Sequence, residues 1–171
     1  MQKKFKKDKI IISMNHTLRA GLIFGLASGI ITTLGLMVGL HSGTHDKLVI
    51  IGAILTIAIA DAFSDALGIH ITEEAKNHQS QKEIWEVTIA TFIFKFLFSL
   101  SFIVPVLLFS LGMAVVISII YGLFLLGLAS FYIAKEQKIK PYVVIGEHLG
   151  IATVVILITH FTGDWISRIF S

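Results

Sequence analysis

Two aspartates and a lysine sit inside apolar runs, where ionised side chains are costly. Asp61 and Asp65 belong to ADAFSDALGIHITEEA and Lys95 to TFIFKFLF. In a helix, four-residue spacing puts both carboxylates on one face, with Ser64 beside them. Counted inward from the polar connector at about 1.5 Å per residue, Asp65 lies roughly 10 Å deep, Lys95 about 13 Å and Asp61 about 16 Å. Acids at such depth face a wet cavity, pair with a cation or stay protonated. Carboxylate oxygens suit a hard or borderline divalent cation, and protons shared with them couple its movement to pH. A purely structural ion pair between Lys95 and one aspartate fits the same depths, although it leaves one acid uncompensated.

At one end of the same helix His70, Glu73, Glu74, His78, Glu83 and Glu86 lie close together in sequence. Such a cluster collects cations at the mouth of a path, and His70 with Glu74 has chelating i,i+4 spacing. The alternative is a solvated helix-turn-helix connector. Glu147 and His148 form a smaller group of the same kind. His160, toward the opposite end, reads as a hydrogen-bonded structural residue.

These residues need apolar elements to hold them, and the composition supplies little else. Of 171 residues 55% are hydrophobic and 15% charged, against about 25% charged in ordinary soluble domains. With a mean hydropathy of +0.85, a typical soluble enzyme is excluded. At about 20 residues per span, the apolar runs predict five transmembrane helices, near 17–40, 48–71, 87–109, 113–134 and 142–162. Pro105 ends or kinks the third, and a turn near 110–112 precedes the fourth. The expected class is an all-α polytopic membrane protein. Lys3, Lys4, Lys6, Lys7, Lys9, Arg19, Lys76, Lys82, Lys135, Lys138 and Lys140 fall on one side, against Lys47 and Arg168 on the other. The positive-inside rule then places the N-terminus in the cytosol and the C-terminus outside, in a multi-pass cell-membrane protein. The basic segment 1–14 lies on anionic lipid or is a leader that only sets topology, and it is expected to be retained. Nucleic acid is not an expected partner, because the basic residues sit at span ends.

No cysteine is present, so no disulfide, thiolate metal site or thiol nucleophile exists. No phosphate-binding loop, nucleophile elbow or His-Glu-x-x-His motif occurs, and no resident cofactor or enzymatic activity is expected. The first helix carries Gly21, Gly25, Gly29 and Gly35, Gly39, Gly43, two four-residue ladders that let another backbone approach. A dimer face, a pore helix and packing within one subunit all satisfy them. Ser28, Thr32 and Thr33 add hydroxyls to the same helix.

The helices FGLASGIITTLGLMVGL, ADAFSDALGIHITEEA, ATFIFKFLFSLSFIVPVLLF and YGLFLLGLASFYIAKEQKIKPYVVIGEHLGIATVVILITHFTGDWI together resemble the vacuolar iron transporter family over about 17–166. That resemblance implies a homodimer of five-helix subunits, exporting Fe2+ or Mn2+ from the cytosol in exchange for protons along a path formed by the first two helices. The sequence departs from the family pattern at several points. Ser28 replaces the membrane aspartate of the first helix, Asp65 the pathway methionine, and Ile69 and His70 an acidic-Tyr pair; the cytosolic metal-binding insert is missing. Asp61 and Asp65 are then expected to move the carboxylates to the second helix, tilting preference toward Mn2+ or Mg2+. Ser28, Thr32 and Ser64 are expected as oxygen donors, and His70, Glu73 and Glu74 as the cytosolic entrance. The rival expectations are a membrane scaffold clasped by Lys95, or a proton-coupled carrier of a non-metal substrate.

Overall fold

The computed structural model describes residues 16–76 and 79–170. The basic segment 1–14 and His78 lie outside the described residues. The helices are α1 (His16–Thr44), α2 (Lys47–Ala75), α3 (Gln81–Ser101), α4 (Ile103–Leu108), α5 (Leu111–Gln137) and α6 (Pro141–Phe170), and no strand occurs among the described residues. α1, α2, α3 continued through α4, α5 and α6 are each long and apolar enough to cross a membrane. The helices overrun the expected spans because polar caps, not apolar edges, end them. Asp46 caps α2 by accepting from Leu48 and Val49 N–H. Ser80 and Glu83 form a reciprocal capping box on α3. Lys138 ends α5 in the left-handed conformation, and Pro141 starts α6, where its missing N–H is harmless.

The third span breaks at Phe102, between α3 and α4. Pro105 cannot donate to the Ser101 carbonyl, one turn back. Hydroxyls gather there: Ser101 Oγ donates to Phe98 O at 2.6 Å and accepts from Tyr121 Oη at 3.2 Å. The expected kink is present, three residues ahead of the proline.

α1 is the axis of the bundle and packs against α2, α3, α5 and α6. Its glycines make this possible, and both ladders are used inside the subunit. A methyl group at Gly21 would stand 2.6 Å from Ala90 Cβ, and one at Gly25 2.8 Å from both Lys95 N and Thr91 O. A methyl group at Gly39 or Gly43 would stand 3.3 Å from Thr159 O or 3.5 Å from Gly163 O in α6. The first ladder therefore seats α1 on α3, and the second seats it on α6. Gly35 and Gly39 of the second also line an open groove. Outward-facing positions such as Phe63, Leu67, Ile120, Phe124 and Phe161 are large, apolar and exposed, as expected of a surface solvated by lipid tails.

Gly25→Leu forces α1 off the Lys95 backbone. Overpacking of this kind costs about 1–3 kcal/mol in cores. The variant is expected to lose its cooperative thermal transition in detergent, whereas Gly127→Leu, at a position with open space around it, melts like wild type.

Candidate functional site

Asp61 stands midway along α2, and Lys95 midway along the span Gln81–Leu108. With α2 ending at Ala75, Asp61 lies about 21 Å from either helix end at 1.5 Å per residue. The first glycine ladder brings the Lys95 backbone against α1, and the Lys95 side chain runs between α1 and α2 with no exposed surface.

The ammonium reaches both acids. Lys95 Nζ lies 2.5 Å from Asp61 Oδ2 and 2.5 Å from Asp65 Oδ2. It also donates to Ser28 Oγ at 3.0 Å, and Ser28 Oγ donates to Asp65 Oδ2 at 2.5 Å. Asp65 is thus held by two donors, whereas Asp61 has the ion contact without an aligned hydrogen bond. The acids are not equivalent. Asp61 and Asp65 keep 27% and 22% of their side-chain surface exposed, and Asp61 lines a groove of about 440 Å³ between α1 and α2, with Thr32, Leu36, Ala53, Thr56, Ile57 and Ala60. Two carboxylates against one ammonium leave a formal charge of −1 at mid-depth. A proton or a further cation balances it.

Four expected residues, Ser28, Asp61, Asp65 and Lys95, come together. Thr32 lines the groove, one turn along from Ser28, and spends its proton on the Ser28 carbonyl at 2.9 Å. Ser64 does not join: it is exposed, between outward-facing Phe63 and the acids. The expected entrance is not assembled either. His70 Nδ1 hydrogen-bonds Thr88 Oγ1 at 2.9 Å, and its ring packs edge-on to Trp85. Glu73 is tied to Lys76 and Gln79, and Glu74 is exposed. Among the described residues, no three His, Asp or Glu side chains are arranged to hold a metal ion. A divalent ion at the deep cluster must therefore displace the ammonium.

Thr91, Ser99, Ser130, Ser42, His41 and His45 escaped the sequence reading. Thr91, Lys95 and Ser99 form a fully buried stripe on α3, facing α1, and Thr91 Oγ1 and Ser99 Oγ have no hydrogen-bond partner. Their four-residue spacing in TFIFKFLFS was the available signal. A roomier cavity, about 650 Å³, opens at the lysine-rich end among α1, α5 and α6, with Arg19 paired to Glu136 at its wall and Ser130 bonded to His148 Nδ1. It lies apart from the acidic pair and shares no residue with the Asp61 groove. At the other end, His160 is bonded to Ser42, in keeping with its expected structural role, and His41 and His45 stand together.

Comparison with known protein families, with curated proteins and with solved structures finds no match to this chain.

Breaking a buried ion pair by removing one partner costs about 3–5 kcal/mol, because a charge is left unpaired. Lys95→Met is therefore expected to melt well below wild type at pH 8. Adding Asp61→Asn and Asp65→Asn should recover most of that loss. A triple variant no more stable than Lys95→Met would mean that the charges are not what the cluster balances.

Proposed function

We propose that the chain is a membrane transporter exchanging a divalent metal ion, Fe2+ or Mn2+, for protons across the cell membrane, with Asp61, Lys95 and Asp65 as the exchange site. The observation that carries this reading is the formal charge of −1 at mid-depth, with one of its acids open to a groove. With Lys95 charged and one acid protonated, the cluster is neutral. With a divalent ion, both acids ionised and Lys95 neutral, it is neutral again. Loading one ion thus releases two protons, and neither state leaves net charge in the apolar bundle. Lys95 is then the resident cation that metal replaces.

Ser28 is placed to keep Asp65 oriented when the ammonium leaves, and Thr32 offers its oxygen lone pairs from the groove wall. An all-oxygen set favours Mn2+ over softer ions. The resemblance to vacuolar iron transporters supports the same direction of travel, from cytosol outward, and the lysine distribution supports a cytosolic N-terminus. It also supports a homodimer. The groove beside Asp61 adjoins a second one among α1, α2 and α6, and both are lined by Thr32, Leu36 and Ile57. A second copy laid along this seam would shield Asp61 from lipid and lie over Gly35 and Gly39 of the second ladder.

One observation favours a second reading. The complete burial of Lys95 between two acids is also what a structural clasp requires. Proteoliposomes loaded with a metal-quenched dye separate the two. The transport reading expects Mn2+ uptake that grows with the proton gradient and is abolished in Asp65→Asn at undiminished protein level. Wild-type uptake in Asp65→Asn would sink the exchange site, and no metal flux in wild type would leave the clasp.

A further inference from the structure

The end of the bundle away from most of the lysines gathers three imidazoles from separate parts of the chain. His41 sits in the last turn of α1, His45 in the turn before α2, and His160 on α6. His45 adopts a left-handed backbone with φ 54°, a region that His enters more readily than most residues. Its N–H bonds the His41 carbonyl at 3.2 Å, which folds the turn back over the helix end. The His41 and His45 rings then stand 5.1 Å apart between centroids, tilted by 53°. His41 Nδ1 is buried and has no hydrogen-bond partner. An unpartnered buried nitrogen is costly and calls for a ligand. His160 is fixed on the neighbouring Ser42 through Nδ1, and its Nε2 lies 3.9 Å from Asp164 Oδ2.

We propose that His41 and His45 form a binding site for a borderline transition-metal cation of the Zn2+, Co2+ or Ni2+ class. Two histidines four residues apart are a known chelating arrangement for such ions. Bound to one tetrahedral ion at about 2.0–2.1 Å, two imidazole rings have centroids roughly 5 Å apart, which is the spacing found here. The pair supplies two nitrogens, and water completes the shell until His160 turns from Ser42 to become the third ligand. Imidazole favours these metals over Mn2+ and Mg2+. The site is thus chemically distinct from the all-oxygen deep cluster, and it does not depend on the transport reading.

The test is Co2+ titration of the full-length, tag-free protein in detergent, read by visible absorption and by Zn2+ competition. The expected result is Co2+ absorption displaced by Zn2+, with affinity falling roughly tenfold or more in His41→Ala and in His45→Ala. His45 is exposed in a turn, so its variant separates lost ligation from lost folding. His148→Ala should bind as wild type. Undiminished Co2+ binding in His45→Ala, or no binding in wild type, would overturn the proposal.

Discussion

A lysine ammonium buried completely at the middle of an apolar bundle is the constraint on which the rest of this structure depends. Such a charge is held only by partners that meet it within hydrogen-bonding range. Lys95 has three: Asp61, Asp65 and Ser28. They come from α1 and α2, and the lysine itself from α3, so three of the five spans are fixed at one point. The glycines of α1 serve the same requirement. Gly25 and Gly29 let α1 lie on the Lys95 backbone, close enough for Ser28 to reach the side chain. Local sequence, helix packing and electrostatics meet at this residue.

The same cluster connects packing to function through its unequal acids. Asp65 is held by two donors. Asp61 has a less directional contact and borders a groove. A single well-satisfied salt bridge would serve as a clasp and nothing more. An odd number of charges at mid-depth, with both acids partly exposed and Asp61 on a groove, invites a proton or a metal ion to take part. That asymmetry favours an exchange site over a fixed joint.

Much of this was legible in the sequence, and the gaps have physical causes. The five spans follow from runs of apolar residues, and their true ends from caps at Asp46, Ser80 and Lys138, which extend the helices beyond the hydrophobic edges. The depths of Asp61, Asp65 and Lys95 pointed to their partnership. That one lysine could reach both acids was not legible, since it depends on how closely α1 and α3 approach. Ser64 is adjacent to Asp65 in sequence, yet the turn of the helix carries it outward. The entrance expected from His70, Glu73 and Glu74 dissolves because each has a different nearby circumstance: Thr88, Lys76 with Gln79, and open exposure. The glycine ladders announced a close contact but not with which helix.

The central claim is that a divalent ion replaces the Lys95 proton and one carboxyl proton together. It is tested most directly by counting protons released when Mn2+ is added to the solubilised protein in weakly buffered solution near neutral pH, since imidazole sites take Mn2+ poorly. The account predicts a release approaching two protons per bound Mn2+, lost together with binding when Asp61 and Asp65 are both replaced by Asn. Mn2+ binding that releases no protons, or that survives loss of both acids, would contradict it.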